Sequence, residues 1–206
     1  MNIMIGLKKQ LNEKVLVMKA FIAALVLIFS LQSFTKADDI KDFEIEGISI
    51  GDSLLDHFTE KEIKENTSYN YEETNKKFTS VDIYNLSNNY EFIQIHYKTN
   101  DKNYEIYSID GIFSWDKLPE DCNAKRLKIN NEISSIFTNL KYEEALNSDM
   151  SSERGFMDLN EYYFSNGDFI QLTCYKYKNK YISDYTNHGR LGIIRKELDD
   201  WIVSIK

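Results

Sequence analysis

Proline is almost absent, with Pro119 the only one in 206 residues. Histidine comes to three (His57, His96, His188) and cysteine to two (Cys122, Cys174). These shortages exclude whole classes. Collagen-like and proline-rich disordered chains need proline in quantity. Disulfide-dense small scaffolds and all-cysteine zinc ribbons need more than two cysteines. No glycine-rich phosphate loop, Cys-x-x-Cys pair or paired catalytic carboxylate motif occurs. Basic residues are outnumbered, 25 Lys and Arg against 33 Asp and Glu, for a formal charge of −8. Such a surface repels phosphate backbones and anionic headgroups, so nucleic-acid and peripheral membrane binding are not expected.

Long apolar runs are also missing, with one exception at residues 20–31. Met18-Lys19 precedes that run, and Gln32-Ser33-Phe34-Thr35-Lys36-Ala37 follows it. A short positive head, an apolar core of about 12 residues and small residues at Thr35 and Ala37 form a secretory signal peptide. Cleavage is expected between Ala37 and Asp38. Residues 1–17 lie ahead of the Met18 head and admit three readings. They are an over-long gene start, part of a longer form cleaved at the same place, or part of an uncleaved anchor in the inner membrane. A spanning helix needs roughly 20 apolar residues, and this run ends at Gln32, which favours cleavage. The expected product is periplasmic or secreted, without a transmembrane span. No cysteine follows the run to take a lipid. Residues 1–37 carry Lys8, Lys9, Lys14, Lys19 and Lys36 against Glu13, so their removal takes the formal charge to −12.

Residues 38–206 are long enough for a single domain with its own core. Phe43, Ile45, Ile48 and Ile50 alternate around Gly47 as a short kinked strand. Asp52 or Ser53 caps a short helix at 54–58, and Thr59 with Glu62 forms a capping box for a second. Three strands are expected at 78–86, 91–97 and 104–113, joined by short polar turns. Within the second, Ile93, Ile95 and Tyr97 share one face, and Gln94 and His96 take the other, wet one. The best helix starts at Pro119-Glu120-Asp121 and is expected to reach about Lys141, with Cys122, Ile129, Ile133, Ile136, Phe137 and Leu140 on one stripe. A loop is expected at 147–154. Asn166-Gly167 marks a two-residue hairpin between strands 159–164 and 169–177, with positive φ at both turn positions. A strand at 191–196 leads into a closing helical turn whose face is Leu198, Trp201, Ile202 and Ile205.

Grouped strands with helices between them give an α+β fold, with antiparallel meander sheets, one long helix and several short ones. Each half runs helix then meander. That order permits a weak duplication, although no residue-level repeat stands out.

Gly51-Asp52-Ser53-Leu54 resembles the nucleophile block of the GDSL serine esterases. That resemblance implies a serine nucleophile at Ser53, with His57 or His188 as base. The family's Asp-x-x-His has only Asp184-Tyr185-Thr186-Asn187-His188 to match it, one residue too long, and the Gly-x-Asn oxyanion block is missing. Helix capping explains Asp52 and Ser53 without catalysis. No metal or cofactor is expected. The three histidines lack ligand spacing, and the calcium-like start at Asp101 has Ile106 and Ile112 where such a loop needs glycine and glutamate. Cys122 and Cys174 are expected to form a disulfide in an exported chain, closing a loop of about 53 residues. The alternative is two separate buried thiols, and it gains weight because the expected hairpin register puts Glu161 on the core face beside them.

Residues 43–58 (FEIEGISIGDSLLDHF), 121–137 (DCNAKRLKINNEISSIF) and 163–175 (YFSNGDFIQLTCY) resemble an uncharacterised family of exported proteins from small-genome marine alphaproteobacteria. That family has no assigned activity, so it carries over no functional residue. Residues 47–58 also look faintly like the opening of the small periplasmic lipoproteins of outer-membrane assembly and of β-lactamase-inhibitor-like modules, which are binding modules. The expectation is an exported, non-catalytic domain that binds a protein or an envelope component, with the Ser53 esterase as the alternative.

Overall fold

The computed structural model describes residues 39–68, 76–114, 122–137, 139–151, 155–178 and 187–205. The signal segment, the Ala37–Asp38 junction, residues 119–121 and residues 184–186 lie outside them. The chain from Ala37 to Lys206 is one compact unit.

A 3-10 turn, Ile40–Asp42, is closed by a capping box from Asp39. It leads into a hairpin of β1 (Glu44–Ile45) and β2 (Ile48–Ser49). The kink expected at Gly47 is a complete turn, with positive φ at both Glu46 (53°) and Gly47 (76°). That pair of angles defines the tightest hairpin connection. Ser53 then caps a 3-10 turn, Leu54–Asp56, and Thr59 with Glu62 closes the expected capping box on α1, Glu60–Glu65.

From there the chain builds one eight-stranded antiparallel sheet, with α+β character and strand dominating. Its strands are β3 (Thr67–Ser68), β4 (Phe78–Tyr84), β5 (Phe92–Lys98), β6 (Ile106–Ser114), β7 (Lys141–Ser151), β8 (Gly155–Tyr163), β9 (Phe169–Tyr177) and β10 (His188–Ile194). Helix α2, Cys122–Ile136, separates the two groups, and α3, Lys196–Ser204, closes the chain. The spatial order is β3-β4-β5-β6-β10-β9-β8-β7. Two four-stranded meanders therefore join through their last strands, and a helix precedes each.

Several expectations fail in the second half. The long helix ends at Ile136, and Lys141 opens β7, an eleven-residue edge strand covering most of the expected loop. Lys141-Tyr142-Glu143-Glu144-Ala145-Leu146 is rich in helix formers, but pairing with β8 outweighs that weak preference. The β8–β9 hairpin also differs. Tyr163 pairs with Phe169, and Gly167 N–H donates to the Phe164 carbonyl (3.0 Å). Only Gly167 has positive φ (88°), so the loop holds three residues, 165–167. A one-residue shift turns every side chain of a strand over. Glu161 consequently lies beside Gln171, away from the core, and Tyr162 and Asn160 take the core face beside Ile170 and Leu172. The last strand starts three residues earlier than expected and ends at Ile194.

The face of the sheet that carries α1 and α2 holds the main core, where Val81, Ile95, Ile109, Ile193, Ile170 and Tyr162 form one row across six strands. Ile63 of α1, Ile133 of α2, Phe137 just after it, and Ile45, Ile48, Ile50 and Leu54 pack against it. On the opposite face α3 covers one end, with Leu198 and Trp201 over Phe78, Tyr107, Phe169 and Ile194. Asp168 Oδ1 accepts from Lys196 N–H (2.9 Å) and ties the β8–β9 turn to the start of that helix.

The pairing also sets two similar short segments on corresponding strands. Phe92-Ile93-Gln94-Ile95 of β5 and Phe169-Ile170-Gln171-Leu172 of β9 occupy matching strands. Each follows a Ser-Asn turn, Ser87-Asn88 and Ser165-Asn166. Gln94 lies between Asp82 and Asp110, and Gln171 between Glu161 and Gly192. In both halves the glutamine amide donates to the outer carboxylate at 2.8 Å.

Candidate functional site

The serine–histidine pair suggested by Gly51-Asp52-Ser53-Leu54 does not assemble around Ser53. Its hydroxyl accepts from Leu55 N–H (3.2 Å) and donates to the Asn103 carbonyl (2.5 Å). No hydrogen bond joins it to His57. His57 Nε2 instead faces the Asp52 carboxylate at 3.4 Å, rather than its neighbour Asp56. His188 is farther still. Ser53 bridges to Glu105 before the start of β6, and His188 pairs with Ser114 at its end. Nine residues of strand separate those points by about 30 Å. His188 sits among rings, with its centroid 4.7 Å from Tyr175 and 6.0 Å from Tyr177.

The second candidate pair does assemble. Cys122, the first residue of α2, and Cys174 of β9 stand at disulfide-bonding distance, with Cα atoms 6.1 Å apart. Both are buried, and Phe113 packs beside them. The corrected hairpin register removes Glu161 from this face and with it the objection to the pair. Close packing extends to Gly189, where a Cβ would strike the Phe113 ring.

The polar centre of the molecule lies on the other face, where a wet surface was expected. His96 of β5 (3% exposed), Ser108 (1%) and Asp110 (1%) of β6 are buried there. Ser108 Oγ lies 2.7 Å from His96 Nδ1 and donates to Asp110 Oδ2 (3.4 Å). Arg190 of β10 donates from Nε to Asp110 Oδ1 at 2.8 Å, and its second nitrogen lies at the same distance. Gly192 leaves room for this carboxylate, since a Cβ there would collide with it. Burial holds the His96 pKa down to about 4 despite the Asp110 carboxylate, so the ring is neutral near pH 7. Burial also opposes the Arg190 charge, but Asp110 and then Tyr175 outweigh it and the guanidinium pKa rises.

Serine, histidine and aspartate are the residues of a hydrolytic triad, but their order is wrong for one. Here the hydroxyl lies between ring and carboxylate, whereas nucleophile activation needs the ring between hydroxyl and carboxylate. The set is a buried ladder tying the central strands together. Alternation along β5 places His96 on the polar side correctly. Its burial was hidden because the partners lie on β6 and β10.

Around this centre the same face of the sheet is mostly half-buried, with Tyr84 its exposed end. Tyr84, Phe92, Ile112, Arg190, Thr173 and Leu159 form one row across β4, β5, β6, β10, β9 and β8. Tyr84 is 57% exposed and stacks at 5.2 Å on Phe92, and the Arg190 side chain is 27% exposed. Tyr84, Phe92, Ile112, Leu159, Met157 and Tyr175 belong to none of the hydrophobic clusters of the described residues. Among those residues no group of three His, Cys, Asp or Glu could hold a metal ion, and no helix is long and apolar enough to cross a membrane. No family model matches the chain, and neither the curated proteins nor the solved structures include a significant match.

Proposed function

We propose that the chain is an exported, non-catalytic α+β domain that binds a protein or an envelope component through the sheet face left open by α3. One observation carries this reading. The row from Tyr84 to Leu159 keeps aromatic, aliphatic and arginine side chains outside the buried clusters, while α3 closes the other end of the same face. Tyrosine and arginine are enriched among the residues that dominate binding energy at interfaces, and a rigid sheet presents them at little entropic cost.

Cleavage between Ala37 and Asp38 delivers the domain to the periplasm or outside the cell. The Cys122–Cys174 pair supports an oxidising destination. The matching Phe-Ile-Gln segments support descent of the two halves from one helix-plus-meander unit, and the uncharacterised exported family remains the proposed kinship. A photoreactive amino acid at Tyr84 in the exporting host tests the binding reading, with Leu127 on α2 as control. Crosslinks from residue 84 to a discrete partner are expected. Crosslinks from residue 127 alone would rule out the face.

A further inference from the structure

Asn166-Gly167, in the β8–β9 turn, is the only Asn-Gly step in the chain. At such a step the glycine nitrogen, once its proton has passed to hydroxide, attacks the asparagine side-chain amide carbon. A nitrogen–carbon bond closes a succinimide ring, and the side-chain nitrogen takes up a proton and leaves as ammonia. Water then opens the ring to aspartate, or to isoaspartate, whose main chain runs through the former side-chain carbon. No reactant beyond water is needed. Glycine favours the attack because it has no Cβ to crowd the nitrogen. Asn166 is exposed and Gly167 half-buried, so water reaches the turn.

The folded turn holds each reacting group in place. Gly167 N–H donates to the Phe164 carbonyl at 3.0 Å. The Asn166 side chain closes on Asp168, its oxygen accepting from Asp168 N–H (3.0 Å) and its nitrogen donating to Asp168 Oδ2 (2.8 Å). The other oxygen of that carboxylate accepts from N–H of Lys196, the first residue of α3, at 2.9 Å. The Lys196 stem also lies over Gly167, where a Cβ would come within 2.7 Å of its Cδ, and its ammonium is paired with Asp200. One carboxylate therefore serves both the asparagine and the helix.

We infer that Asn166 is a site of spontaneous deamidation, held in check by Asp168 and Lys196 while α3 is docked. Attack requires the Asn166 amide to leave both bonds to Asp168 and the Gly167 nitrogen to leave the Phe164 carbonyl. Such local opening is linked to release of the start of α3 through the shared carboxylate. Conversion also weakens the restraint that delayed it. The Nδ2 donor gives way to a second carboxylate facing Asp168, and isoaspartate adds a carbon to the main chain of the three-residue loop. The modified turn holds α3 less firmly over Phe78, Tyr107, Phe169 and Ile194.

The test is peptide mapping by mass spectrometry, with isoaspartyl methyltransferase labelling, of the purified chain aged in mildly alkaline buffer. In urea Asn166 is expected to convert faster than any other asparagine, and in the folded chain more slowly by about tenfold or more. Lys196→Pro removes the N–H that Asp168 accepts and the stem over Gly167. Proline suits the first helical position, and Arg195 before it is already extended (φ −75°, ψ 137°), as a residue preceding proline must be. In the folded variant conversion at Asn166 is expected to rise by roughly threefold or more, with Asn147 in the β7 bulge keeping its rate. The comparison of folded and unfolded parent chain stands even if the variant folds poorly. Slow conversion of Asn166 in urea would overturn the site. Equal rates in the folded and unfolded chain, or an unchanged rate in folded Lys196→Pro, would overturn the restraint by α3.

Discussion

Asp110 and Gly192 face one another across β6 and β10, and the carboxylate occupies the space a Cβ at residue 192 would need. The glycine of one half thus accommodates the buried acid of the other. Gly192→Ala is expected to push the carboxylate off Arg190 and to cost roughly 1–3 kcal/mol, the usual range for overpacking. A melting curve checks it, and an unchanged Tm would mean that the Asp110–Arg190 pair does not depend on this gap.

His96 gives a stability that depends on pH in a defined direction. The unfolded ring takes up its proton near pH 6.5 and the folded ring only near 4. The unfolded state therefore binds more protons between those values, and stability present above pH 6.5 is lost as pH falls toward 4. The loss is on the order of 3 kcal/mol for this group. Urea unfolding of the parent and of His96→Gln across pH 4–8 separates this contribution from the carboxylates. A parallel pH dependence in the two proteins would contradict the buried neutral ring.

The Cys122–Cys174 pair is expected to be oxidised in the exported chain. Non-reducing mass spectrometry of the unfolded protein should show a two-dalton deficit and no alkylatable thiol. With the two positions 52 apart in sequence, the chain-entropy model assigns the crosslink roughly 4 kcal/mol. Reduction should therefore lower Tm by roughly 8–16 °C for a chain of this size. Two free thiols would end the assignment.

Local chemistry was legible wherever neighbours in sequence are also the partners in space. The Ser53 cap, the Thr59–Glu62 box and the Leu198–Trp201 stripe all follow from spacing of a few residues. The Cys pair followed from composition and the expectation of export. Long-range pairing decided what was missed. β7 is an edge strand whose Lys-Glu-Glu-Ala-Leu content prefers helix until β8 pairs with it. Asn166-Gly167 announces a hairpin but not its loop length, and the extra residue turned Glu161 outward. His96 looked solvated because Ser108, Asp110 and Arg190 lie 12 or more positions away. The matching Phe-Ile-Gln segments escaped notice because their flanks differ in length, and strand pairing sets them side by side for comparison. The row from Tyr84 to Leu159, which belongs to no single segment, had no linear signature at all.

Hydroxyl-radical footprinting of the chain in its own envelope fraction, against the isolated chain, tests the binding account most directly. Tyr84, Phe92 and Met157 on the proposed binding face should lose reactivity when the envelope is present, while Leu127, Ile136 and Val203, exposed elsewhere, should keep theirs. Protection of Leu127 and Ile136 with Tyr84 unchanged would place the binding surface on α2 and contradict the account.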